Sequence, residues 1–252
     1  DPSVDPYSLL AIHVTIHRSR YLSPLLPPLL RFRKFEQQEQ RMQFAISNHR
    51  LWGAPYVPSP NSGGAIRPKF LVMHYTAGGP GFDTAAYFAT RAAKASAHLV
   101  IRRDGTPIQC VPFNIRAWHA GQSRWTAADG KRYADLNHHA IGIELENWGA
   151  LRKSGGGWLS WNGQEVDGTV IEARHKYGTP DGGWEAFPDM QVESAAAAAG
   201  AICAAYGIAE ILGHDDIAPG RKSDPGPAWD MDGFRNRVLA ANKCVAGCVC
   251  AE

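Results

Sequence analysis

No stretch of this chain reaches the ~18 consecutive apolar residues that a membrane-spanning helix needs, so no helical span is expected. An excess of charge of one sign is also missing. The 26 Lys and Arg residues stand against 24 Asp and Glu, a formal net charge of +2. That balance makes no electrostatic case for nucleic acid or a membrane surface as partner. Cysteine is scarce: Cys110, Cys203, Cys244, Cys248 and Cys250 are the five present. The number is odd and the first two are isolated, which does not imply a disulfide framework. The last three lie in CVAGCVC at the end of the chain, read as a frayed tail in preference to a soft-metal site. There is no HExxH pair to mark a metallopeptidase helix and no internal repeat.

What is there suits a folded protein. The 252 residues are 44% hydrophobic and 20% charged, enough for one domain of moderate size with extensions, or two small ones. The chain opens Asp1-Pro2-Ser3 without an initiator Met. Prolines cut its early apolar stretches (LSPLLPPLL), so this start does not read as a signal peptide. Met42 is a candidate natural initiator, which would make residues 1–41 foreign to the fold. Residues 1–48 are therefore expected to be a poorly packed or non-native extension, with one helix near 30–46. Residues 49–243 are expected to form the working domain, and 244–252 a Cys-containing tail.

Within the domain, FLVM (70–73) between Pro68 and a Gly-rich loop reads as a buried strand. The Ala-rich stretch 83–95, with Asp83 or Thr84 as cap, reads as a helix. AHLVIR (97–102), the Asp104-Gly105 turn and the return to Val111 read as a hairpin. In AIGIELE (140–146) Ile141, Ile143 and Leu145 fall on one face, and Gly142, Glu144 and Glu146 on the other. Residues 149–184, rich in Gly and Trp, read as an insertion of loops. Helices are expected over 189–206 and 230–242. Strands alternating with helices define an α/β (α+β) domain.

The segment GHDDIAPGRKSDPGP (213–227) packs His214, Lys222 and Asp224 into a stiff loop, and His74 ends the first core strand. Two imidazoles and a carboxylate can hold a zinc ion with a fourth position left for water. Residue type alone does not single out these three, since there are ten histidines.

The ordered motifs MHYTAG (73–78), AHLVIRRDG (97–105), RAWHAG (116–121), IGIELEN (141–147) and GHDDIAPGRKSDPGP resemble those of the zinc N-acetylmuramoyl-L-alanine amidases. That superfamily includes anhydro-muropeptide amidases, phage endolysin amidases and peptidoglycan recognition proteins. The resemblance runs from about residue 52 to 240. It implies a peptidoglycan-recognition-protein-like fold, a central mixed β-sheet flanked by helices. It implies one Zn2+ on His74, His214 and Asp224, with Glu144 and Lys222 as catalytic residues. The reaction it implies is hydrolysis of the amide between N-acetylmuramic acid and L-alanine in peptidoglycan or muropeptides. It places the protein among bacterial or phage-encoded hydrolases, cytoplasmic or delivered to the periplasm and cell wall.

The residue pattern agrees, because Glu144 faces away from the isoleucines and a carboxylate beside a zinc-bound water can carry its proton. Lys222, two residues from a ligand, can reach a developing oxyanion. Trp118, His119 and Asn147 are candidate substrate-binding residues. His98 and His119 sit in these motifs with packing as the competing role of each, and His138 and His139 read as surface residues. Asp215 and Asp216 read as caps or as partners of the ligands. Trp125, Trp148, Trp158, Trp161 and Trp184 cluster around the insertion and would suit glycan, with packing as the plainer role for half of them. A non-catalytic peptidoglycan-binding module is the alternative function, and a peptidase acting within the stem peptide a weaker one. Oligomeric state is left open.

Overall fold

The computed structural model describes residues 43–178 and 182–247. Nearly all of the expected N-terminal extension lies outside the described residues, as do Cys248 and Cys250. Strands β1 (Ile46–Ser47) and β2 (Arg50–Leu51) form an antiparallel ribbon. Asn48 and His49 close it at φ 49° and 60°, as a two-residue turn with both central residues left-handed requires. Leu51 is buried, and Phe44 and Ile46 pack against the main core. The packed fold thus starts before residue 49, and residues 43–46 carry no helix.

A short strand, β3 (Ser62–Ala65), leads to β4 (Phe70–Tyr75) at the centre of the fold. Helix α1 (Thr84–Phe88) follows, capped by Asp83, whose Oδ1 accepts from Ala86 N at 3.0 Å. The helix expected over 83–95 stops early because Thr90 leaves the helical region, its hydroxyl bonding back to Tyr87 O at 2.8 Å. A separate turn covers Arg91–Ala93. The hairpin β5 (Leu99–Ile101) and β6 (Pro107–Gln109) forms as expected around Asp104-Gly105. Strand β7 (Ile115–Ala117) pairs with β3, and β8 (Arg124–Thr126) with β9 (Arg132–Ala134).

The second core strand, β10 (Ala140–Leu145), runs parallel to β4 with Glu144 opposite His74. The insertion then forms β11 (Ala150–Ser154), β12 (Gly157–Leu159), β13 (Val170–Ala173) and β14 (Gly182–Glu185). The chain closes with α2 (Asp189–Tyr206), β15 (Glu210–Gly213), the single turn α3 (His214–Ile217) and α4 (Met231–Gly247).

The central sheet has the order β15-β4-β10-β5-β6, parallel except for β6. Its strands are buried on both faces, which suits a run such as FLVM without alternation. Leu71, Met73, Ile141, Ile143 and Leu145 face α2 and α4. The small Ala195, Ala198 and Ala199 let α2 lie close, and Ile202 fills the remaining space. Each such fully buried Leu or Ile contributes about 1.5–3 kcal/mol. The other face carries Phe70, Val72, Ala140 and Leu212 under Ala120, Leu136 and Ile217. His74 and Glu144 stand on this second face, at the carboxyl ends of their strands, where open α/β sheets place ligands.

The insertion is a four-stranded antiparallel sheet, β12-β11-β14-β13, and not the loops its composition suggested. Its glycines serve turns and contacts. Gly155 turns the β11–β12 hairpin at φ 58°, and Gly183 has no side chain where the ring of Trp158 lies against it.

Candidate metal centre and active site

The carboxyl ends of three neighbouring strands supply the site. His74 is the next-to-last residue of β4, Glu144 is its partner on β10, and His214 follows directly on β15. Asp224 arrives from the loop after α3, held by the bond from Asp215 N to its own carbonyl at 2.8 Å. Tyr75 OH against Ser223 Oγ, at 2.7 Å, ties β4 to the same loop.

The Nδ1 atoms of His74 and His214 and the Oδ2 of Asp224 form a triangle with every side 2.9 Å. All three residues are buried and can hold a single metal ion. The outer hydrogen bonds fix which nitrogens carry protons. His214 Nε2 faces Ala120 O at 3.1 Å, and a carbonyl only accepts, so Nε2 donates and Nδ1 is bare. His119 Nε2 donates to Ala140 O at 3.4 Å, so its Nδ1 accepts from His74 Nε2 at 2.9 Å, and His74 Nδ1 is bare as well. Burial, and then the neighbouring His214, push the His74 imidazole down to about 4, so it takes up no proton near neutrality. Three lone pairs therefore converge, an arrangement that calls for a cation between them.

Beside the triangle stands Glu144. Its Oε2 is buried with no hydrogen-bond partner among the described residues. Burial, then the Asp224 carboxylate, push its carboxyl up to about 8, while Lys222 pulls the other way. His74, Glu144, His214, Lys222 and Asp224 all line one cleft of about 980 Å3. Lys222 is exposed there, while Arg221 is tied to Ala120 O and Gln122 O at 3.0 and 2.6 Å.

The candidate substrate residues divide. Trp118 is 38% exposed on the cleft. His119 also lines the cleft but is buried, its ring backing His74. Asn147 is fully buried and is not among the residues that line the cleft. Its Nδ2 donates to Glu185 O at 3.2 Å and its Oδ1 accepts from Gly149 N at 2.7 Å, fastening the insertion to the end of β10. His98 is a core residue, bonded between Gly142 N and Ile115 O at 2.9 Å each. Asp216 caps α3 through Gly213 N at 2.7 Å, and Asp215 accepts from buried His175 at 3.0 Å. Of the tryptophans, Trp148 and Trp184 are buried, and Trp161 is 72% exposed on the cleft. Neither the His175–Asp215 contact nor the backing role of His119 has a sequence signal, since both depend on residues tens of positions apart.

A sheet whose strand ends and following loop bring together three converging donors and a lone buried carboxyl, opening on a cleft, is the equipment of a hydrolase that works with a bound cation. The family model for N-acetylmuramoyl-L-alanine amidase matches residues 64–227, well over half of the chain, and the chain belongs to that family. It is 34% identical over 207 residues to the 1,6-anhydro-N-acetylmuramyl-L-alanine amidase AmpD of Escherichia coli strain K12, covering 73% of this chain and 92% of AmpD. It is 36% identical over 183 residues to the N-acetylmuramoyl-L-alanine amidase AmiD of the same strain, covering 69% of this chain and 55% of AmiD. The crystal structure of a selenomethionine derivative of AmpD superposes with a TM-score of 0.52 at 30% identity, over 76% of this chain and 98% of that one.

Proposed function

We propose that the chain hydrolyses the amide between the lactyl group of N-acetylmuramic acid and L-alanine, in peptidoglycan or its muropeptide fragments, with one zinc ion on His74, His214 and Asp224. The triangle of bare acceptors beside Glu144 carries this reading. Two imidazoles and a carboxylate are a zinc donor set, and one point can reach all three corners at the ~2.0–2.2 Å bond lengths zinc takes. Zinc held there would acidify a water and polarise the amide carbonyl. Glu144 takes the proton of the attacking water and returns it to the alanine nitrogen as the C–N bond breaks. Lys222, exposed on the same cleft, stabilises the negative charge that develops on the carbonyl oxygen. A non-catalytic binding module would have no use for the unpartnered carboxyl.

Purified protein loaded with zinc, incubated with intact sacculi and in parallel with soluble anhydro-muropeptide, tests the reading. Mass spectrometry is expected to show free stem peptide starting at L-alanine, and the relative rates tell a recycling enzyme from a lytic one. Glu144→Gln is expected to keep one zinc per chain and lose roughly 10²–10⁴-fold in turnover. His74→Ala is expected to lose both zinc and turnover. Full activity in Glu144→Gln would remove Glu144 from the mechanism.

A further inference from the structure

The insertion sheet brings to the cleft a set of groups that the hydrolytic chemistry does not use. Trp161 is 72% exposed, yet its ring is not free to swing, because its indole N–H donates to Ala77 O at 2.8 Å. Ala77 is three residues beyond His74 and holds φ 55°, a left-handed conformation unusual for a residue with a side chain. The turn that presents Trp161 is locked from within. Ser160 Oγ donates to Asn162 Oδ1 at 2.7 Å and accepts from Gln164 N at 3.1 Å, and Ser160 N donates to Gln164 O at 2.9 Å. Trp161, Asn162 and Gln164 all line the cleft and all are exposed. A fixed aromatic plane loses little conformational freedom when a ligand settles on it.

The charge on the cleft separates by element. The cations, Arg221 and Lys222, belong to the loop that carries Asp224, whereas the residues that the insertion contributes are an indole and two neutral amides. A stem peptide carries carboxylates and would be served by the cationic loop. A neutral N-acetylated sugar presents a flat apolar ring face together with hydroxyl and amide groups, and these match an indole plane flanked by Asn and Gln.

We propose that the Trp161–Gln164 turn is a sugar-binding bank, in which the ring of Trp161 stacks on a pyranose of the glycan and Asn162 and Gln164 hydrogen-bond its substituents. The insertion would thereby set how much glycan the enzyme requires beside the scissile amide. This rests on the amidase reading above and extends it to a specificity element.

The two products of the reaction separate the possibilities. With GlcNAc-MurNAc-peptide as substrate, Trp161→Ala is expected to raise KM about tenfold, the worth of one stacking contact, and to leave kcat within about twofold. Inhibition by the peptide-free disaccharide should weaken by a similar factor, and inhibition by the free stem peptide should not change. Trp161→Phe keeps a ring without the N–H and is expected to recover part of the lost KM, which a merely structural role would not produce. Zinc content and thermal unfolding of both variants check that the fold and the metal centre are intact. Unchanged KM in Trp161→Ala, or weakened inhibition by the peptide with the sugar unaffected, would overturn the proposal. If wild-type protein loaded with zinc releases no stem peptide, the amidase reading itself fails, a result distinct from either.

Discussion

Burial and the Asp224 carboxylate hold the Glu144 carboxyl at about 8, against its ordinary 4.5. In the metal-free protein the fold therefore keeps a proton that the unfolded chain releases near 4.5. Between these values folding takes up a proton, so stability falls as pH rises. The buried histidines act in the opposite sense. Burial holds His74 and His98 down to about 4, so they are neutral in the fold while the unfolded chain protonates them below 6.5. Their effect is a stability that rises with pH from about 4 to 6.5 and is then complete. From 6.5 to about 8 only the Glu144 slope remains among these groups. Urea unfolding of metal-free protein across that interval is expected to show decreasing stability, and Glu144→Gln is expected to flatten the curve. An equal slope in the variant would mean that the carboxyl is solvated and ionised in the fold, and would weaken its claim to be the proton carrier.

At the scale of elements, β10 shows how a strand serves two faces at once. Ile141, Ile143 and Leu145 enter the core, while the opposite face reads Ala140, Gly142, Glu144. Gly142 is required by contact and not by its own conformation. A methyl group there would lie 2.5 Å from the ring of His119, the residue that backs His74. Gly142→Ala is thus expected to push His119 away, release the His74 tautomer and weaken zinc binding by roughly 10–100-fold, the usual cost of losing a partner behind a metal ligand. Competition with a chelator measures it, and unchanged affinity would show that His119 does not hold His74. This device marks the limit of what could be read beforehand. The alternation in IGIELE made the core face legible because it is a local pattern, whereas the three donors and Glu144 were expected only through the resemblance carried by the ordered motifs. His119 lines the cleft, but its contact behind His74 depends on the space left by Gly142, 23 residues further on, which no local pattern reveals. The burial of Asn147 was not legible for a similar reason: its long-range partner, the backbone of Glu185, is brought to it only once the insertion has folded into a sheet. That sheet was itself hidden by Gly and Trp, which read as loop composition until Trp158 is seen lying on Gly183.

For the molecule as a whole, the question is whether metal or core organises the site. His74 and Glu144 are fixed by a parallel pairing of six residue pairs, and His214 by a strand in the same sheet, all anchored in apolar layers on both faces. The loop of Asp224 is held by the Asp215 and Ser223 contacts, neither of which involves a cation. The insertion adds a further clamp. Arg103 bonds both oxygens of Glu185 and the carbonyl of Gly78, joining the cleft loop to β14. These ties predict a protein that stays folded without zinc, unlike a small domain built around its metal. Removing zinc should release only the linkage term, about 2.7 kcal/mol when free zinc stands at 100 times Kd. For a domain of this size that corresponds to a fall in Tm of about 5–10 °C. Far-UV circular dichroism of the chelated protein should match that of the holoprotein. Loss of helix and strand signal on chelation would mean that the ligands are gathered by the ion, and that the bare triangle is not a pre-formed receptor.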